Sequence, residues 1–448
     1  MQMDLGKEKI SRLFIKFLLP TIAGMIFSSI FVVADGIMVG KGVGAEGLAA
    51  VNLISPIFTI STGLGLMFGM GGSVLASEAL GSGCVKRART CAMFTLKLAL
   101  VSSLLVLAAL LVFGDYTMYL LGVPDELSDI ASLYYYPLIP AIIFNVLMTV
   151  GLFFIRLDGA PSFAMACVAI SSIGNIFLDW LFIFPFGMGM FGAAFATTLS
   201  QVAGCGIMIL YIIRRARIFR AKAMKRLTIE TNVFYLSKRI MSIGFPAFIG
   251  DLSISFMVII GNMVFDKYVG IDGIAAFSVI CFIYPIVFMA YNAIVQSVQP
   301  IISYNHRQNG HRACQALNLS LLTMAICGIM FSGIAWFWSE NLVSLFLEKG
   351  TNAWEVAATG VSLFGTGFLF FGMNILLIGY MQSIGIIRQS IFLTILRGCV
   401  FTVITFFLLP QILGNDGIWL AVPVAELLAF VYISIYTATK TNYRVLNR

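Results

Sequence analysis

The chain has 448 residues, 60% of them apolar and only 11% charged, with a mean hydropathy of +0.98. That balance excludes a soluble globular domain, and it confines a net charge of +8 to short polar breaks between apolar runs. Twelve such runs are long enough for a helix that crosses a bilayer, for which roughly 20 residues at about 1.5 Å each are needed. In chain order they are 13–40, 48–76, 91–113, 131–155, 162–184, 191–213, 239–265, 273–302, 316–338, 358–381, 391–409 and 417–437.

The predicted fold class is therefore all-α integral membrane, since nothing shows the alternating ten-residue strands of an outer-membrane barrel. The start "MQMDLGKEKISRLFIKFLLP" lacks a short apolar core followed by a small-residue cleavage site, so the first span is expected in the mature protein. Basic residues set the orientation. With both termini in the cytoplasm, the inner side takes Lys7, Lys9, Arg12, Lys16, the 86–97 cluster, Arg156, the stretch 214–226, Lys238, Arg239, Arg307, Arg312, Arg388, Arg397, Lys440, Arg444 and Arg448. Only Lys41, Lys267 and Lys349 fall outside, a positive-inside asymmetry that requires an even number of spans. Trp180, Trp336, Trp338, Trp354 and Trp419 all fall at outer span ends, as an interfacial belt requires. The run "RRARIFRAKAMKR" then reads as an inner-leaflet contact of the lipid bilayer, and no nucleic acid is expected as a partner.

Sliding the chain by 226 residues superposes "VGAEGLAA" (43–50) on "VGIDGIAA" (269–276), and pairs Pro20 with Pro246, Gly24 with Gly250 and Ser77 with Ser303. A constant offset along most of the chain is an internal duplication. Six spans per copy is an even number, so the copies are parallel repeats, expected to enclose a central cleft that opens alternately to each side. The domains read as an N-lobe at 1–213, a basic inter-lobe loop at 214–238 and a C-lobe at 239–448. Eight Cys without a CxxC, and two His confined to one loop, argue against a metal site or a disulfide framework. The absence of GxxxxGK[ST] removes ATP-driven pumping, and neither HExxH, GxSxG nor GxGD is present, so an enzyme is not expected. Phe and Met, 39 and 22 in number, read as lipid-facing or packing residues. Many of the 42 Gly lie in spans and read as close-packing positions.

Four acids remain inside the spans: Asp35, Asp179, Asp251 and Glu426. A charge at the bilayer centre costs about 2.5 to 3.5 kcal/mol, so such residues are expected to face protein or a water-filled cavity. Asp35 stands roughly 30 Å along the first span from its inner end. Asp179 lies near the outer end of the fifth span with Asn175 one turn below it, and Thr197 and Thr198 on the descending sixth span reach a similar depth. Gathered together, two carboxyl groups in a low-dielectric site cannot both stay ionised cheaply and can take up a proton; the same oxygens, with the Asn carbonyl and a Thr hydroxyl, equally suit Na⁺. Asp35 maps to Gly261 in the second copy and Asp179 to Ile404 or Thr405, so duplication alone does not require acids here. Asp251 and Glu426 are secondary candidates.

The ordered motifs "VVADGIMVGKGVGAEGLAAVNLISPI", "FIRLDGAPSFAM", "NIFLDWLFIF" and "GAAFATTLSQ" resemble the multidrug and toxic compound extrusion (MATE) family over essentially the whole chain. The resemblance implies two lobes in a V, and a monomeric plasma-membrane antiporter that exports organic cations or amphipathic compounds in exchange for H⁺ or Na⁺, with no cofactor. It places the N-lobe ion site on Asp35, Asn175, Asp179 and Thr197, with Thr149 where the fourth span often offers Asn, a departure that removes one amide ligand. It makes Pro20 a conformational hinge whose bending accompanies protonation, and Arg156 the inner-end arginine of the fourth span, in a structural or gating role. The C-lobe acids of the NorM-type branch are not evident, because Asp251 is about one turn from the seventh-span position and the tenth span has no acid. Coupling is expected in the N-lobe. The alternative within transport is a lipid-linked saccharide flippase of the same two-lobed superfamily, although nearly all Lys and Arg lie at the inner face rather than in the cleft; a channel is a further alternative.

Overall fold

In hydrocarbon each backbone N–H and C=O must find its partner within the chain, and a helix supplies it locally. The computed structural model describes residues 5–225 and 232–445, and among them all regular structure is helical. Arg226 and Arg448 lie outside the described residues, as do the side chains of Lys225, Lys440 and Arg444. The first copy runs α1 (Ile10–Gly42), α2 (Ala45–Gly81), α3 (Val85–Val112), a short α4 (Gly114–Leu120), α5 (Ser128–Leu138), α6 (Ala141–Leu157), α7 (Pro161–Ile183) and α8 (Gly189–Leu210). A π-helical turn at Tyr211–Arg215 and a short α9 (Ala221–Lys225) follow. The second copy runs α10 (Val233–Val269), α11 (Ile271–Asn305), α12 (Gly310–Phe337), a short α13 (Ser339–Val343), α14 (Asn352–Gly365), α15 (Phe368–Ser383), α16 (Ile387–Ile395), a π-helical turn (Leu396–Phe401), α17 (Thr402–Leu413) and α18 (Asn415–Val445). Among the described residues ten helical runs are long and apolar enough to cross a membrane, or twelve when two bent pairs each count as one span.

The bent pairs are the fourth and tenth spans, expected to be continuous and instead bent by 44° in each copy. The first break falls at Pro140, which has no N–H to continue the helical ladder. The 226-residue offset maps Pro140 onto Thr366, where there is no proline. There the cause is packing: a Cβ on Gly367 would lie 2.7 Å from the Cα of Pro423 on α18, so only glycine lets the two backbones meet. Short i to i−3 bonds, Thr366 N–H to Leu363 O and Gly367 N–H to Phe364 O, tighten the turn.

Contacts divide the chain into two units, Met1–Phe248 with Pro300–Ala313, and Ile249–Gln299 with Cys314–Arg448. The first unit takes in the beginning of α10 and the end of α11, so this division crosses the second copy rather than falling at 214–238. Within it, α1 packs on α7, α7 on α8, and α2 on α3 and α6. Gly71 and Gly244 let α2 and α10 touch backbone to backbone: a Cβ on Gly71 would strike the Ile240 carbonyl oxygen, and one on Gly244 that of Met67. Asp158, at the end of α6, fastens the stretch after α8 by accepting from Tyr211 Oη at 2.7 Å and from the backbone N–H groups of Ile218 at 2.7 Å and Arg217 at 3.0 Å.

In the second unit Trp419, near the start of α18, is turned into protein rather than outward. It is only 3% exposed, with its ring 4.6 Å from Phe265 and against Gly360, whereas Trp180, Trp336 and Trp338 are about half exposed. The flat face of Gly360 admits the indole into the bundle. The α2–α10 contact generates a prediction. Gly244→Val, whose side chain meets a carbonyl that cannot rotate away, lowers stability by about 1 to 3 kcal/mol. Gly250→Val, where a Cβ meets nothing within 4 Å, leaves it unchanged, as read by the melting midpoint of the purified protein in detergent.

Candidate functional site

The seam between α1 and α7 is built by its glycines. Gly24 brings α1 to within ordinary contact of Met165 and Val168, and Gly42 admits Ile183, so the helices run side by side in the same direction. Asp35 lies between those glycines, and that register sets it level with the last turns of α7. On α7, Ser171, Asn175 and Asp179 recur every four residues and form one buried polar stripe. Gly204 of α8 accepts Ser171, whose hydroxyl donates to Ser200 O at 2.9 Å, and this fixes the third helix of the cluster.

The result is a buried polar cluster in the first unit. Asp35, Asn175, Asp179 and Thr197 are 9%, 1%, 0% and 3% exposed. The two carboxyl groups meet one another, and Asn175 Nδ2 donates to Thr197 Oγ1 at 3.3 Å. Apart from that mutual contact, Asp35 Oδ1, both carboxyl oxygens of Asp179 and Asn175 Oδ1 have no hydrogen-bond donor. Four buried acceptors with nothing to accept call for a proton or a small cation. Tyr134 of α5, 5% exposed, stands close enough to sense both carboxyl charges; sequence reasoning missed it because it lies in an unremarkable "LYYYP" run.

Other sequence candidates take different places. Thr149 packs against Gly65 of α2, and Thr198 turns to α5, donating to Pro137 O at 2.6 Å. Asn145, four residues before Thr149, supplies an amide, but to Ser61 and Thr62 at 2.8 and 3.0 Å. Pro20 sits in α1, which continues unbroken through it. Arg156 is buried in the last turn of α6, its guanidinium 5.5 Å from the Phe153 ring. Asp251 is half-buried on α10, its Oδ2 without a donor.

Glu426 belongs to a second polar cluster. Arg397 Nη1 lies 3.2 Å from Glu426 Oε1, and Asn374 Nδ2 donates to Glu426 Oε2 at 2.7 Å. Both charged residues are 4% exposed. This corrects the placement of Arg397 at the inner face: it lies inside the apolar run Ile387–Leu413, on a π-helical turn, with its charge matched by Glu426 and its guanidinium 5.1 Å from the Phe371 ring. The signal was present in the sequence, since an arginine inside the expected span 391–409, six residues from its start, needs an internal partner.

A duplicated chain of up to twelve apolar helical spans, with carboxylates enclosed in its first copy, defines a polytopic membrane protein. Comparison with known proteins makes this specific. The MatE family model matches residues 20–181 and again 246–408, two matches that begin at Pro20 and Pro246 and so repeat the duplication. The chain belongs to the MatE family of multidrug efflux transporters, whose members are transporters rather than enzymes and need no cofactor. It is 25% identical over 427 residues to the multidrug export protein MepA of Staphylococcus aureus strain MRSA252, covering 94% of this chain and 92% of that protein. Its fold matches that of a multidrug resistance MATE transporter of the MOP superfamily solved in an outward-facing conformation, with TM-score 0.91 and 21% identity over 98% of this chain and 97% of the other. It also matches a MOP superfamily transporter of Pyrococcus furiosus, described as having a binding pocket of reverse polarity, with TM-score 0.89 and 21% identity over 97% of both chains.

The Arg397–Glu426 pair carries its own prediction. Glu426→Gln leaves a buried guanidinium uncompensated and destabilises the protein by about 3 to 5 kcal/mol, whereas Glu426→Leu combined with Arg397→Met recovers most of the loss. Thermal melting of the purified variants measures both.

Proposed function

We propose that this chain is a proton-coupled antiporter of the plasma membrane, both termini cytoplasmic, which exports organic cations and amphipathic small molecules by alternating access. The observation that carries the reading is the direct contact of two buried carboxyl groups, Asp35 and Asp179, whose remaining oxygens find no donor. Two negative charges about 4 Å apart repel by roughly 4 kcal/mol at an effective dielectric of 20, before desolvation is counted. A single shared proton removes that repulsion and satisfies one of the acceptors. Asn175 and Thr197, bonded to each other, offer the further oxygens that a competing Na⁺ needs.

Proton release then couples to transport through geometry. While the cluster is buried the pair keeps its proton; when the first lobe opens to water, hydration replaces the proton as the source of stabilisation. The lobes of this cycle are residues 1–213 and 239–448, joined by 214–238. Pro20 lies in α1 between its inner end and Asp35, and it removes the N–H that the Lys16 carbonyl otherwise accepts, so bending of α1 is easiest there. Arg156, buried in the last turn of α6 beside the Phe153 ring of the same helix, takes the structural or gating role at its inner end. Thr149 contributes through the α2–α6 contact. Family membership and the 25% identity to MepA support efflux of small molecules as the task.

Ethidium uptake into everted membrane vesicles, the equivalent of export from the cell, tests the coupling. Collapsing the pH gradient is expected to abolish export while replacing Na⁺ leaves it intact; dependence on Na⁺ alone overturns the proton assignment. Asp35→Asn and Asp179→Asn each reduce coupled export at least about tenfold, since one acid is then too few to trade its proton against a second charge. An Asp35→Asn variant with unaltered export and coupling removes the pair from the mechanism. Pro20→Ala keeps expression and melting midpoint but slows turnover, because the restored hydrogen bond stiffens α1.

A further inference from the structure

At one end of the first unit the turn between α2 and α3 stands beside the start of α10 and the chain that follows α11. Between them lies a cavity of about 670 Å³. Its charged lining is one-sided: Lys86, Arg87, Arg239 and Arg307 face it, and among the described lining residues Glu78 is the one acid. Glu78, 9% exposed near the end of α2, lies 3.6 Å from Arg239 Nη2 and 3.3 Å from Arg307 Nη2. One carboxylate placed between two guanidiniums leaves the set positive even before Arg87 is counted.

Two further features define what fits. The N-terminus of α3 opens on the same cavity without a side-chain cap, so the positive end of a 28-residue helix dipole adds to the arginines. Ser82 and Thr90 supply hydroxyls beside the cations. Leu75, Ala79 and Leu236 add apolar lining, and Tyr235 beside Leu236 is 58% exposed. Next to it Val233 and Phe234 are 54% and 76% exposed. Paired guanidiniums beside a helix N-terminus recognise a phosphate oxygen set, and apolar lining that leads to exposed aromatic residues at a span end suits the glycerol and first methylenes of a lipid.

We propose that this cavity is a binding site for a phosphate ester, filled by the headgroup of an anionic phospholipid from the leaflet at that end of the bundle. The bound phosphate bridges Arg87 of α3 to Arg307 after α11, and reinforces the ties that Glu78 makes to Arg239 and Arg307. It therefore stabilises the arrangement in which α2, α3 and α10 are packed together. The cavity's charge and shape are properties of the chain itself and do not depend on which ion drives transport.

The test uses the full-length protein in nanodiscs of phosphatidylcholine alone or with added phosphatidylglycerol, with glycerol 3-phosphate added to the neutral discs as the soluble arm. Phosphatidylglycerol is expected to raise the melting midpoint and to remain bound in native mass spectra, and glycerol 3-phosphate to have little effect. Arg87→Gln with Arg307→Gln, which leaves Glu78 paired with Arg239, weakens lipid retention about tenfold or more. Lys222→Gln with Arg388→Gln, outside the cavity, leaves it unchanged. Equal loss in that control pair, or equal stabilisation of all variants by phosphatidylglycerol, reduces the effect to diffuse surface charge and overturns the site. Stabilisation by glycerol 3-phosphate as large as that by the lipid overturns the lipid assignment.

Discussion

A carboxylate that leaves water for a helix bundle has to be compensated, and the seam between α1 and α7 is arranged so that Asp35 and Asp179 meet chiefly each other. Neighbouring helices could have supplied an arginine or a row of N–H donors. Instead the seam is closed with Gly24 and Gly42, so the two acids are pressed to a common depth, with Asn175, Thr197 and Tyr134 in the same cluster. A site of that kind is balanced only when something small and positive occupies it. The close packing of the first lobe, from Gly204 against Ser171 to Thr198 on Pro137, holds that unbalanced pair in register.

Other acids of the same chain show the alternatives. Asp158 is answered by backbone N–H groups and a tyrosine, Glu78 by two arginines, and Glu426 by Arg397 and Asn374. Each is matched within the fold by donors or cations, and each fastens elements together. The Arg397–Glu426 pair is buried in the second copy beside Asn374 of the tenth span, yet its charge is already neutralised internally. A proton arriving at Glu426 costs an ion pair, whereas one arriving between Asp35 and Asp179 relieves a repulsion. The duplicated halves thus differ less in backbone than in how their buried charges are balanced.

The bends of the fourth and tenth spans make the same point about the backbone. Both occur at the repeat-equivalent position with the same angle, one enforced by the missing N–H of Pro140 and the other by the close approach of Gly367 to Pro423. Duplication has kept the path of the chain while the chemistry that imposes it has changed. The units defined by contacts also fail to follow the duplication, because Gly71 and Gly244 weld the start of α10 to α2.

The sequence by itself determined the class of fold, the number of spans, the duplication and the acids worth attention. These follow from hydropathy, from a constant 226-residue offset and from the cost of charge in hydrocarbon, all of which are properties of the chain read in one dimension. Asn175 and Asp179 were legible as one stripe because helical spacing is local. What only the tertiary structure decided was which helices are neighbours. That Asp35 meets Asp179, that Thr198 turns away to Pro137, and that Trp419 is buried against Gly360 each depend on contacts between distant segments. Arg397 shows the limit most plainly: its position in an apolar run announced a partner, but Glu426 was named by the packing of α18 against α15 and the π-helical turn, which no periodicity in the sequence specifies.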